Sequence, residues 1–256
     1  LYSSYFDFFL SIESYFTTLI LSLFTGFAFY LIGKKSNKKL NFIEQLILII
    51  FVYILIGLII SIPFYLSTLQ VTFISSFFEA ISGLTGTGFS SFNNIKYLDP
   101  TLILWRSSSQ WVGGLFFLFF LMILFSNKSF NYKMTNLTFA GETNYKSEEN
   151  IKNNLLKIFI FYSILSLIYF TLLNISGVRL FNSLNLTMTL VSNGGFLPSD
   201  NLNDIIITNF QKIILILTLI FSMLNFYFLF NIFDKRALLK SHKEDFYLLT
   251  FSALFI

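Results

Sequence analysis

Long apolar runs alternate with short polar clusters along this chain, and two of the interruptions are built alike. A hydrocarbon core takes about 20 apolar residues per helix. The runs at 15–32, 43–66, 101–125, 155–173 and 210–230 therefore predict five membrane-crossing helices. The second carries Gly57 and Pro63, which neighbouring helices can accommodate. The third opens after Pro100, a residue suited to a helix start. Residues 126–154, rich in Asn, Lys and Glu, are too polar for the bilayer.

The paired interruptions follow the second and fourth runs. One reads Ser76-Phe-Phe-Glu-Ala-Ile-Ser-Gly-Leu-Thr-Gly-Thr-Gly88-Phe89. The other, shifted by 107 positions, reads Ser183-Leu-Asn-Leu-Thr-Met-Thr-Leu-Val-Ser-Asn-Gly-Gly195-Phe196. Each predicts a half-inserted amphipathic helix and a small-residue turn between two spans, so the chain contains an internal repeat.

Composition agrees with a membrane protein. The chain is 55% hydrophobic, 12% charged and 20% aromatic, with 36 Phe and a mean hydropathy of +0.73. A soluble domain carries roughly twice that charged fraction. Runs such as Phe116-Phe117-Leu118-Phe119-Phe120 leave no face for water. Cysteine is absent, so disulfides and thiolate metal sites are excluded, and the single His242 lies in a charged loop without a zinc-type pairing.

The net charge of +4 is concentrated in three places: Lys34, Lys35, Lys38 and Lys39; Lys128, Lys133, Lys146, Lys152 and Lys157; and Lys235, Arg236, Lys240 and Lys243. The positive-inside rule puts these loops in the cytoplasm. Alternation with spans argues against nucleic acid as their partner. Both paired segments, within 67–99 and 174–209, then fall on the external side, arranged in parallel about an axis along the membrane normal. Nothing basic precedes the first span, so a signal peptide accounts for it poorly. A leading Leu1 and a half-length apolar end at 246–256 give the expectation that the chain is a fragment of a longer protein.

Two such segments suit a cation path. A potassium filter replaces the hydration shell with rings of backbone carbonyls. Glycine reaches the required dihedrals at least steric cost. The expected filter residues are Thr85, Gly86, Thr87 and Gly88 in the first segment, and Val191, Ser192, Asn193, Gly194 and Gly195 in the second. Phe89 and Phe196 are expected to anchor the turns in surrounding packing. Each half-helix aims its carbonyl end at the path, where partial negative charge favours a cation.

Glu79 is placed near the start of the first half-helix, as structural support. Arg106, next to Trp105 and close to Gln110 and Trp111, has two readings: an interfacial snorkelling anchor, or a brace bonding loop carbonyls or Glu79. The brace is favoured, since a cation path repels a guanidinium. Asn225 is expected to bond a neighbouring helix, and Asp99 and Asp200 to cap helices. Gly113-Gly114 reads as a small-residue helix contact. No Ser-His-Asp arrangement, paired buried carboxylates or phosphate loop is present, so the expectation is a non-enzyme with no cofactor. The run Gly83-Leu-Thr-Gly-Thr-Gly88 lacks the preceding strand and the Lys-Ser/Thr ending of a nucleotide loop.

The stretches Phe78-Glu-Ala-Ile-Ser-Gly-Leu-Thr-Gly-Thr-Gly88 and Leu104-Trp-Arg-Ser-Ser-Ser-Gln-Trp-Val-Gly-Gly114 resemble the first repeat of the Trk-type potassium uptake proteins. Leu190-Val-Ser-Asn-Gly-Gly-Phe196 is similar to that family's second filter segment, and Gly141-Glu-Thr and Lys243-Glu-Asp sit where the family places such residues. The helix before the first repeat favours the TrkH branch over KtrB within the Trk/Ktr/HKT superfamily. The resemblance covers most of the chain. It implies an all-α membrane protein with potassium-channel-like helix–pore loop–helix repeats, two of an expected four. It also implies potassium uptake, a homodimer, and a cytosolic nucleotide-binding regulatory subunit of TrkA type. Gly88 and Gly195 become the key glycines. Gly86 stands where a threonine is commoner, and Asn193 at a usual threonine position, which leaves potassium against mixed potassium and sodium open.

The expected organisation is an extra helix and lysine loop at 1–40, a first repeat at 41–126, a cytoplasmic loop at 127–153, a second repeat at 154–234, and a loop with the start of a third repeat at 235–256. Localisation follows as the cytoplasmic (inner) membrane, multi-pass. Two other functions compete: a complete two-repeat channel that dimerises to form its pore, and a non-conducting membrane scaffold.

Overall fold

The computed structural model describes residues 12–34, 40–67, 71–125, 148–224, 226, 247 and 250–251. Seven α-helices lie within them: α1 Ile12–Lys34, α2 Phe42–Tyr65, α3 Phe73–Leu84, α4 Pro100–Phe125, α5 Glu148–Ile175, α6 Leu180–Ser192 and α7 Asn209–Met223. Four of them, α1, α2, α4 and α5, are long and apolar enough to cross a bilayer.

Starts and stops follow local chemistry. Asn41 and Glu44 form a capping box at α2, and Thr208 and Gln211 form another at α7. The Thr72 hydroxyl accepts from the Ser75 amide at the head of α3. The short helices α3 and α6 have 12 and 13 residues. At 1.5 Å per residue each reaches only about 20 Å, roughly two thirds of a hydrocarbon core. They start at Phe73 and Leu180, the same shift of 107 positions that relates the two sequence segments.

The core forms around α4. One cluster joins Leu115, Leu118 and Met122 of α4 to Tyr162 and Leu173 of α5 and to Leu186 and Leu190 of α6. A second joins Leu102 of α4 to Ile60 and Phe64 of α2 and to Ala80 and Leu84 of α3. The helix α4 is thus the shared wall of both half-helices. In α1, by contrast, most apolar side chains face outward: Phe24 is 71% exposed and Leu23 64%. A helix hydrophobic all round belongs in lipid.

Two expected boundaries change. Helix α5 starts at Glu148, inside the stretch read as a polar loop, because nothing in 148–154 breaks a helix and the apolar run behind it anchors the turns. The fifth run is not one continuous helix in the described residues: α7 stops at Met223 and Leu224 is extended at ψ 150°. There the Asn193 side-chain amide donates to the Ser222 carbonyl at 2.9 Å, so a helix-end carbonyl is satisfied from outside. The lysine clusters beyond Lys34, Lys152 and Lys157, together with Asn225, His242, Gly141 and most of 246–256, lie outside the described residues.

Candidate functional site

The C-terminal ends of α3 and α6 release the chain into two short segments that meet. The backbone of Gly86 faces the Ser192 carbonyl oxygen, 3.7 Å from where a Cβ would stand, and the Gly88 position abuts the Gly194 carbonyl oxygen. The carbonyls of Ser192 and Gly194 therefore turn toward the first segment. In the first segment Gly86 and Gly88 have φ of 68° and 78°; in the second, Asn193 and Gly195 have 55° and 86°. These positions correspond pairwise under the shift of 107. Asparagine is among the few side chains that tolerate left-handed backbone. Gly86 and Asn193 both take positive φ, a backbone region in which a β-branched residue would be strained.

Backbone hydrogen bonds repeat in the same register. Thr87 N–H donates to the Ser82 carbonyl at 3.0 Å and Gly194 N–H to the Thr189 carbonyl at 2.8 Å. Gly86 N–H to Gly83 O is matched by Asn193 N–H to Leu190 O. The Thr85 hydroxyl bonds back to Ile81 O at 2.8 Å and that of Ser192 to Met188 O at 2.8 Å. Of the nine expected filter residues, Val191 and Ser192 belong to the last turn of α6, and the Val191 side chain packs into the core. The non-helical part of the second segment begins at Asn193. Behind the helix ends lies a cavity of about 350 Å³ lined by Thr85, Gly86, Gly114, Tyr162, Ser192 and Asn193, among others.

A buried ionic knot stands behind the first segment. Arg106 is 1% exposed and Glu79 0%. Arg106 Nε donates to Glu79 Oε1 at 2.6 Å, Nη2 to Ser90 Oγ at 3.2 Å and Nη1 to the Leu197 carbonyl at 3.4 Å. Glu79 also accepts from the Ser91 amide at 2.8 Å and from both serine hydroxyls. The guanidinium stacks 4.3 Å from the centre of the Phe196 ring. Arg106 thus touches both segments and does not snorkel.

Several expected placements differ. Glu79 is not in the first turn of its helix, because α3 begins at Phe73 and puts it past the midpoint. Its charge is met by Arg106 and serines rather than by the helix N-terminus. Phe196 is 2% exposed, but the Phe89 side chain is 70% exposed among the described residues. Asp99 accepts from the Thr101 amide at the head of α4, at 2.9 Å. Asp200 caps no α-helix: it accepts from the amide of Ile95, the first residue of a short 3-10 helix at Ile95–Tyr97, at 2.5 Å and so ties the second loop to the first. Gly113 and Gly114 are where α4 receives the half-helix ends. A Cβ at Gly113 would meet the Leu84 backbone, and one at Gly114 would lie 2.9 Å from Ser192 Cβ.

Gln110 and Ser82 were not among the expected site residues. Gln110 is fully buried, and its Oε1 accepts from the Thr189 hydroxyl at 2.7 Å and the Phe196 amide at 3.1 Å. A glutamine in the middle of an apolar span was a usable signal, since polar residues at that depth default to functional sites. The Ser82 hydroxyl donates to the Phe89 carbonyl at 2.6 Å. A single serine among many carries no comparable signal.

The family model described as TrkH, cation transport protein, matches residues 12–254. This chain belongs to the TrkH family. An uncharacterised cation transporter of Methanocaldococcus jannaschii is 29% identical over 178 residues, covering 69% of this chain and 36% of the relative. The Trk system potassium uptake protein TrkG of Escherichia coli K12 is 25% identical over 198 residues, covering 73% and 39%. The crystal structure of the potassium transporter TrkH from Vibrio parahaemolyticus superposes with a TM-score of 0.68 at 21% identity, over 88% of this chain and 45% of that one. At that identity the likeness shows the fold. The chain spans less than half the length of these relatives.

Proposed function

We propose that this chain forms part of the conduction path of a potassium uptake protein, with Thr85, Gly86, Thr87 and Gly88 and the backbone of 192–195 lining it. The observation that carries the reading is the meeting of the two segments, with positive φ at corresponding positions and the Ser192 and Gly194 carbonyls turned toward the first segment. Each segment sits at the carbonyl end of a half-helix, where the macrodipole favours a cation. The relatives named for potassium uptake support potassium as the ion, with sodium as the second candidate. Two segments make part of a ring, so the full filter takes further segments. The loops bearing them face the outside of the cytoplasmic membrane, and a homodimer with a TrkA-type regulatory subunit is the working assembly.

The intact gene product, expressed in a strain lacking potassium uptake, restores growth at low potassium. Gly88→Val and Gly195→Val each abolish it at normal membrane levels, because a branched side chain strains a backbone at positive φ and, at Gly88, meets the Gly194 carbonyl. A wild-type protein that inserts but does not rescue would overturn the reading and favour a scaffold.

A further inference from the structure

We propose that Gln110 is the positioning residue of the second loop segment and thereby a determinant of ion discrimination, an inference that rests on the conduction reading above. The two segments are closed from behind in different ways. In the first, the Ser82 hydroxyl of α3 donates directly to the carbonyl of Phe89, one residue beyond the segment. The corresponding residues of the second are Thr189 and Phe196. Gln110 of α4 joins these two, its Oε1 accepting from the Thr189 hydroxyl and from the Phe196 amide.

The orientation of that amide group is forced. Phe196 N–H can only donate, so the oxygen must face it and the nitrogen must point away. Nε2 is then buried with no hydrogen-bond partner among the described residues. The amide lies against Gly194, where an added Cβ would meet Gln110 Cδ, Nε2 and Oε1 together. Gln110 is therefore the back wall of the residue whose carbonyl turns toward Gly88. It comes from the helix that follows the first segment, so packing around one segment sets the geometry of the other. The first segment needs no such visitor.

The test compares three substitutions in the intact protein, reading rubidium uptake against rising sodium. Gln110→Asn keeps the amide and withdraws it by one methylene; it lowers potassium-over-sodium discrimination about tenfold, the equivalent of one lost buried hydrogen bond. Gln110→Leu does at least as much. Gln110→Glu, a neutral acid when buried without a counter-charge, keeps both reach and acceptor oxygen and stays within about threefold of wild type. A role in burial alone would make Asn the mildest change and Glu the worst. Asn and Leu variants with wild-type discrimination, or a Glu variant no better than Leu, overturn the inference while leaving the conduction reading standing. If Leu fails to reach the membrane, the contrast between Asn and Glu decides. A wild-type protein that inserts and takes up no rubidium overturns both.

Discussion

Arg106 and Glu79 show how a full charge is kept inside an apolar bundle. The carboxylate accepts from Arg106, Ser90 and Ser91, so neither partner is left with an unmet charge. Burial of such a pair is a poor source of net stability, but removing one member strands the other at about 3–5 kcal/mol. Arg106→Met or Glu79→Leu alone therefore lowers the thermal stability of the purified protein sharply, whereas the double substitution loses less than the sum of the two. Additive losses in that cycle would show that the pair is not coupled. Asn193 makes a separate point: its φ of 55° and its side-chain bond to Ser222 both suit asparagine, which tolerates left-handed backbone and carries an amide donor. The Arg106 brace could be reasoned from charge, since a cation path repels a guanidinium. The bond geometry of Gln110 could not, because its partners are 79 and 86 positions away.

At the scale of elements, α4 acts as a rail on which both half-helices end. Gly113 lets the Leu84 backbone approach to contact distance, and Gly114 does the same for Ser192. Gly113→Ala places a methyl group against backbone that cannot rotate away. It should cost about 1–3 kcal/mol of overpacking and impair transport through displacement of the first segment. Gly26→Ala in α1, where nothing lies within 4 Å of the new methyl, is the matched control and should be neutral in thermal melts and in uptake. Equal effects of the two would remove α4 from this role. The glycine pair was legible as a helix contact; that it receives the ends of α3 and α6 was not, since a short motif does not name its partner.

For the whole molecule, the two loops join on one face. Asp200 bonds the Ile95 amide, and Arg106 spans from Glu79 to the Leu197 carbonyl. The proposed sidedness puts that face outside and the lysine clusters inside. These 256 residues hold no cysteine, so a cysteine introduced here adds a maleimide target that is read against the unsubstituted protein. A cysteine at the exposed position Asn201 should react with an impermeant maleimide in intact cells, and one at exposed Lys34 only after permeabilisation. The reverse labelling pattern would invert the topology and the direction of the proposed path.

Hydrophobic length by itself determined four of the five expected spans, because burial in lipid is a property that each segment meets alone, and the paired Ser, Gly and Phe positions gave the shift of 107. The same paired segments placed the candidate glycines. Only tertiary structure decided that α3 starts early enough to carry Glu79 past its midpoint, that Val191 belongs to the core, and that the second segment closes through Gln110. Those outcomes depend on hydrogen-bond partners far apart in the chain. A buried donor takes the acceptor that folding brings within reach, and no local pattern names it.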